Sequence, residues 1–260
     1  MSIFIAIPAF GGQIHADFAQ SLIQLVLELK KNEIPYIVEF LGSESLISRG
    51  RNSLVANFYS KVEYSHLLFL DADLIFNANA ILKILCEDKE VVGCPYPKKT
   101  YNWDKVSRSI KKDNDSNPKA NLPLFTDINY NLEGGMKKFT SSCIEAKDIP
   151  TGCMLIKRSV ITALMLKYPE RQYQNNIAGM DSKMSPYFYD LFGTGVINNI
   201  YLSEDYYFCY LCKSLGISLY LETGFTFGHI GREIFYGNLA QQLVEYKGDE
   251  LNLDYKHLRK

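Results

Sequence analysis

The run Ser65-His66-Leu67-Leu68-Phe69-Leu70 stops abruptly at Asp71-Ala72-Asp73, so an apolar stretch ends in two carboxylates one residue apart. Such a run reads as a buried strand, and a strand ending in two acids delivers them to the rim of its sheet. Residues i and i+2 of an extended chain project to the same side, so both carboxylates can reach one hard divalent cation. Mg²⁺ or Mn²⁺, held by one or two carboxylates and completed by substrate phosphates, suits an all-oxygen site of this kind. The plain alternative is that strands often end in polar turn residues. The surrounding chain has to decide between the two.

Upstream, residues 3–7 form a β-branched and aromatic run that Pro8 and Gly11-Gly12 force into a loop. Ile14, Phe18, Leu22, Leu25, Val26 and Leu29 then recur at helical spacing. Tyr36-Ile37-Val38-Glu39-Phe40 reads as a second strand, and Leu54, Val55, Phe58 and Tyr59 as one face of a second helix. With the strand over 66–70 the order is βαβαβ, which implies parallel strands with right-handed crossovers. In such sheets ligands bind beyond the carboxyl ends of the strands. The loop 8–12, the segment 48–52 and the pair Asp71 and Asp73 all fall at that edge.

Downstream, the pattern predicts a helix over 78–86, strands over 90–94, 143–147 and 151–157, and a helix over 159–167. A helix opening at Ser203-Glu204-Asp205 and reaching Leu215 follows, then a strand over 217–221 and a run over 225–231 that carries His229. Two stretches lack clear periodicity. Residues 98–121 are rich in lysine and arginine, which suits either a solvated insertion or a lid that meets a diphosphate. Residues 171–200 are rich in Asn, Gly and Tyr, and a long loop inside a compact domain is more often functional than idle.

The 260 residues carry a formal net charge of -1, so the chain lacks the clustered positive charge of a general nucleic-acid binder. The amino terminus has no basic n-region, Pro8 interrupts its short apolar run, and no stretch approaches a transmembrane length. A cytoplasmic protein is the expectation. Cys86, Cys94, Cys143, Cys153, Cys209 and Cys212 lie mostly among apolar neighbours, as reduced core thiols do. Cys209 and Cys212 form a C-x-x-C pair without a second pair nearby, which favours packing over zinc.

Taken together these segments resemble the GT-A glycosyltransferases, and the resemblance spans about residues 3–240. It rests on Ile5-Ala6-Ile7-Pro8-Ala9-Phe10, Ser48-Arg49-Gly50-Arg51-Asn52, Asp71-Ala72-Asp73, Thr151-Gly152-Cys153-Met154-Leu155, Ser203-Glu204-Asp205 and Gly228-His229-Ile230-Gly231, in that order. The Ser-x-x-Arg-Asn helix with its Asp-x-Asp is also similar to viral and bacterial GT-A proteins and to fungal Anp1-type mannosyltransferases. The resemblance implies an α/β chain with a Rossmann-like mixed, mostly parallel central sheet flanked by helices. It implies one domain over 1–260, with a nucleotide-binding half over about 1–95, an acceptor-binding half over about 140–240, and flexible loops over 98–121 and 171–200. The implied reaction moves a sugar from a nucleoside-diphosphate sugar to a hydroxyl of a glycan, glycolipid or glycoprotein, with Mn²⁺ or Mg²⁺.

Roles follow motif by motif. The resemblance implies that Asp73 binds the metal directly, that Asp71 contacts the metal, its water or the ribose, and that His229 completes the metal shell. The resemblance also implies that Pro8 and Phe10 wall the nucleobase pocket; from the residues alone they are a strand cap and an apolar loop residue. Arg49, Arg51 and Asn52 sit at a helix start, where backbone N–H groups already favour anions and guanidinium groups add charge-assisted contacts. Either arginine could instead pair with a nearby acid. Asp205 is the first candidate for the acceptor-side base and Glu204 the second, although Ser203 and two acids also suit an ordinary helix start.

Two other readings compete. A nucleotidyltransferase carries a basic, glycine-rich loop after the first strand, whereas Ala9-Phe10-Gly11-Gly12-Gln13 has no basic residue. A non-catalytic nucleotide-sugar-binding protein would lose its carboxylates, and here Asp-x-Asp, Glu-Asp and His all stand.

Overall fold

The computed structural model describes residues 1–112, 121–132, 141–176 and 182–245. The first half runs β1 (Ile3–Ala9), α1 (Ala16–Lys31), β2 (Tyr36–Gly42), α2 (Ile47–Ser60), β3 (His66–Leu70), β4 (Leu74–Ile75), α3 (Ala78–Cys86), β5 (Val91–Gly93), β6 (Pro97–Tyr101) and α4 (Trp103–Lys112). The second runs β7 (Thr126–Ile128), β8 (Cys143–Ala146), β9 (Cys153–Lys157), α5 (Arg158–Lys167), β10 (Gly195–Ile197), β11 (Ile200–Leu202), α6 (Glu204–Ser214), β12 (Leu219–Glu222), β13 (Phe227–Ile230), β14 (Ile234–Gly237) and α7 (Leu239–Glu245).

Seven strands build the main sheet in the order β2-β1-β3-β9-β5-β12-β8. β1 pairs with β2 and β3 in parallel, as the βαβαβ pattern requires, and β12 is parallel to β5. β9 enters between β3 and β5 in the opposite direction, and β8 closes the far edge antiparallel to β12. The sheet is therefore the mixed, helix-flanked α/β sheet that the GT-A resemblance implies.

Alternation along the strands divides the core in two. Ile3, Ile5 and Ile7 of β1 pack with Leu68 and Leu70 of β3 against Phe18, Leu22 and Leu25 of α1 and Ile81 and Ile84 of α3. Phe4, Ala6, Leu67 and Phe69 point to the other face, where α2, α5 and α6 supply Leu54, Phe58, Ile161, Leu164, Phe208 and Leu211. Strand period and helix period thus meet on both faces. Phe192 stacks on Phe208 at 4.5 Å and meets Phe69 edge-on at 5.3 Å, which ties the stretch before β10 to α6 and β3.

Because β9 runs backwards, its start lies beside the end of β3, and the Asp71 amide donates to the Gly152 carbonyl at 2.9 Å. The small sheet β14-β13-β4 sets His229 opposite Leu74, one residue beyond Asp73. The lysine-rich stretch read as an insertion or lid contains β6, which pairs with β7, and α4. Its residues 113–120 lie outside the described residues. The stretch 171–200, where described, holds a bridge from Gln172 to Tyr189 and the hairpin β10-β11. Asn198 and Asn199 turn that hairpin with φ of 50° and 65°, the left-handed values of a tight turn that Asn tolerates.

Arg158 locks the two site-bearing elements together. Its guanidinium donates to the carbonyls of Phe58, Tyr59, Lys61 and Tyr64 at 2.6 to 3.1 Å, at the end of α2 and the approach to β3. It also lies 4.2 Å over the Phe58 ring. The Phe58 and Tyr59 carbonyls belong to the last turn of α2, where a helix end leaves acceptors without intrahelical donors, and those of Lys61 and Tyr64 belong to the turn that follows. Arg158→Met should therefore cost about 2 kcal/mol in urea unfolding, with an unchanged far-ultraviolet spectrum before the transition.

Candidate active site

The site is organised around Arg51, which α2 delivers into the interior with 3% of its surface exposed. Its Nη2 reaches Asp71 Oδ1 at 3.1 Å and Oδ2 at 3.3 Å, and its Nε reaches Glu204 Oε1 at 3.4 Å. One guanidinium thus joins the carboxylate after β3 to the first residue of α6. Burial works against its charge, but Asp71 and Glu204 outweigh that and hold its pKa above the ordinary arginine value. Phe69 lies beneath it, 5.4 Å from ring centre to guanidinium carbon. Its Nη1 is buried without a partner among the described residues.

The two acids of the Asp-x-Asp triplet part company. β3 ends at Leu70, and Asp71 to Leu74 is a turn closed by the Leu74 amide on the Asp71 carbonyl at 3.2 Å. The strand alternation expected to aim both carboxylates at one point therefore stops before it reaches them. Asp71 faces Arg51, while Asp73 Oδ2 receives Lys99 Nζ at 2.5 Å and lies 3.5 Å from His229 Nε2. Burial alone would raise the Asp73 pKa, but His229 and Lys99 bring it down to about 2.

His229 is oriented by its other ring nitrogen, which lies 2.8 Å from the Pro97 carbonyl. A carbonyl only accepts, so Nδ1 carries a hydrogen; in the imidazolium, the form that draws the Asp73 pKa down, Nε2–H also faces Asp73, whereas in the neutral ring Nε2 presents its lone pair there. Two lone-pair donors facing each other at 3.5 Å need a proton or a cation between them. Among the described residues, no group of three or more His, Cys, Asp or Glu side chains converges as a complete metal site. Asp73 and His229 instead fit a hard cation whose remaining ligands come from phosphate and water, the usual manner for Mg²⁺ and Mn²⁺.

The other candidates fall in distinct places. Arg49 pairs with Glu44, Nε to Oε2 at 2.7 Å and Nη2 to Oε1 at 3.0 Å. Glu44 also accepts the Leu46 amide at the mouth of α2, so an acid from this chain occupies that helix start, its pKa lowered chiefly by Arg49. Asn52 is buried; it donates to Asp190 at 2.9 Å and accepts the amides of Leu191 and Phe192 at 3.1 and 2.8 Å. Its contacts order the loop before β10. Pro8 is half-buried within β1, and Phe10 stands 74% exposed in the turn after it. Asp205 accepts hydrogen bonds from the Ser203 hydroxyl and, at 2.9 Å, from the Tyr206 amide. Burial nevertheless raises its pKa, and neighbouring Glu204 adds to the rise.

Two residues at the centre were not singled out from the sequence. Tyr96 packs edge-on against His229 at 5.2 Å, and a Cβ on Gly152 would lie 2.5 Å from its hydroxyl, so only glycine admits this ring. Lys99 is hidden in the sequence among the lysines of 98–112. The alternation of Pro97 and Lys99 along one side of a short strand is the only local signal, and β6 is too polar for periodicity to reveal it.

No protein-family model matches the chain, and no curated protein matches it significantly. Among solved structures it is similar to A197 from STIV, at 17% identity and a TM-score of 0.48, covering 92% of this chain and 95% of that one. It is similar to the catalytic domain of Drosophila β1,4-galactosyltransferase 7 in complex with xylobiose, at 11% identity and a TM-score of 0.39, covering 100% and 79%. A glycosyltransferase involved in the glycosylation of the major capsid of PBCV-1 is similar at 10% identity and a TM-score of 0.33, covering 68% and 72%. No helix among the described residues is long and apolar enough to cross a membrane.

The lowered pKa of Asp73 fixes the sign of a stability effect. A carboxylate at about 2 when folded and 3.8 when unfolded stabilises the protein above pH 3.8, and that contribution fades as the pH falls toward 2. The stability gap between the protein and Asp73→Asn should thus be about 2 kcal/mol near pH 5 and should close on acidification, as read by urea unfolding at stepped pH.

Proposed function

We propose that this chain is a single-domain glycosyltransferase that moves a sugar from a nucleoside-diphosphate donor to a hydroxyl acceptor with the aid of a divalent cation. The observation that carries this reading is the Arg51 bridge, because it brings Asp71 and Glu204 together at the carboxyl edge of the sheet. Two motifs far apart in sequence thereby form one site, with the cation-type pair Asp73 and His229 on one side and the acceptor-type pair Glu204 and Asp205 on the other.

The roles divide accordingly. Asp73 and His229 would hold Mg²⁺ or Mn²⁺, which when bound neutralises the charge that develops on the departing diphosphate. Phe10, exposed beside Gly11 and Gly12, offers a face for the nucleobase. Arg51 fixes Asp71 and Glu204 and cannot reach bulk water, so its task is to hold the two loops in register. Asp205, with a raised pKa and a Ser203 hydroxyl orienting one oxygen, is suited to take the proton of the acceptor hydroxyl. Residues 1–95 supply the donor side of this arrangement and residues 140–240 the acceptor side.

The first test is donor hydrolysis across a panel of nucleotide sugars with Mn²⁺ or with EDTA. Turnover that needs the metal is expected, and failure to bind any nucleoside diphosphate would sink the assignment. The second test uses Asp205→Asn. An amide keeps the Ser203 contact but cannot accept a proton, so transfer should fall by about 10²-fold or more. Removing a carboxylate that burial destabilises should leave Tm unchanged or higher, so a collapse of Tm would show a structural role instead.

A further inference from the structure

Two groups converge on one carboxylate oxygen. Asp73 Oδ2 is approached by the Lys99 ammonium at 2.5 Å and by His229 Nε2 at 3.5 Å, and β6 supplies both the lysine and the Pro97 carbonyl that orients the imidazole. The placement of Lys99 is built in. Its stem crosses Gly231, where an added Cβ would lie 3.2 Å from Lys99 Cδ and 3.5 Å from Cγ. The end of β6 is pinned by Tyr101, whose ring packs at 5.0 Å on Phe235. The second glycine of Gly228-His229-Ile230-Gly231 thus leaves room for the lysine that faces the same carboxylate as the histidine.

We propose that Lys99 is a tethered cation that competes with the divalent ion for Asp73 and, once displaced, pairs with the diphosphate of the donor. The inference rests on the function proposed above. Lysine suits the part because its ammonium is a compact point charge on a flexible four-carbon stem, with three donors free to turn. Its side chain is 39% exposed, so the head can leave Asp73 without disturbing the core. The anchored backbone and the Gly231 channel keep it within a side-chain length of the place it leaves. Before loading it holds the Asp73 charge compensated, and after loading it adds positive charge where the leaving group becomes negative.

The test reads metal binding directly. Free Mn²⁺ is followed by electron paramagnetic resonance during titration of the protein, Lys99→Met and Asp73→Asn, each alone and with UDP or GDP. Methionine keeps the stem across Gly231 and removes the charge. Lys99→Met should bind Mn²⁺ alone about 10-fold more tightly than the unaltered protein, as loss of one adjacent like charge at a half-exposed site implies. The same variant should bind the Mn²⁺–nucleotide complex more weakly than that tighter metal site alone would give. Equal Mn²⁺ affinity in the two proteins overturns the competition and leaves the metal site standing. Mn²⁺ binding undiminished by Asp73→Asn, or absent from the protein and Lys99→Met alike, overturns the metal site itself and the inference with it.

Discussion

A guanidinium shut inside the protein needs opposite charge, and Arg51 takes it from two segments that are strangers in sequence. The guanidinium stays buried because Asp71 and Glu204, themselves 26% and 17% exposed, both face it. Removing either acid would leave the buried guanidinium with one partner fewer, so the turn after β3 and the start of α6 are constrained as a unit. The cost of this arrangement is visible in the same side chain, whose Nη1 is buried without a partner among the described residues. The site accepts that cost at its most constrained point, where one guanidinium fixes two segments at once.

The parts of this architecture that could be read from sequence are those written in apolar pattern. β1 and β3 are nearly unbroken apolar runs and α1 carries a clear stripe, so their order and parallel pairing followed from residue type alone. The direction of β9 did not, because a short buried run reads the same in either direction. The segment Ser203-Glu204-Asp205 announced a helix start but gave no sign that its first acid reaches across to Arg51. Such a contact is decided by tertiary distance, which local spacing does not encode.

The charged residues show the same division more sharply. Arg49, Arg51 and Asn52 were grouped as ligand contacts because they share a helix start, yet each has a different partner within the chain: Glu44, the pair Asp71 and Glu204, and the Asp190 loop. Successive positions on a helix face different directions, so neighbours in sequence part in space. The Asp-x-Asp triplet divides for a related reason, since a turn replaces the extended backbone on which its common aim depended. Lys99 was invisible because one lysine among several carries no local mark of its partner.

The reversed strand β9 has a consequence for how the chain must assemble. It sits between β3 and β5, so the first half of the chain cannot zip its own strands into one continuous sheet as they emerge. Leu70 waits for Cys153, and until residues 153–157 arrive both β3 and β5 present open hydrogen-bonding edges. Closing a loop of that length costs entropy before it returns any contact, which places the pairing late in folding and makes it a slow step. The strand that completes the rim of the candidate site is thus also the latch that seals the sheet, and the end of β3 takes its place beside Gly152 in the same event that closes the open edges of β3 and β5.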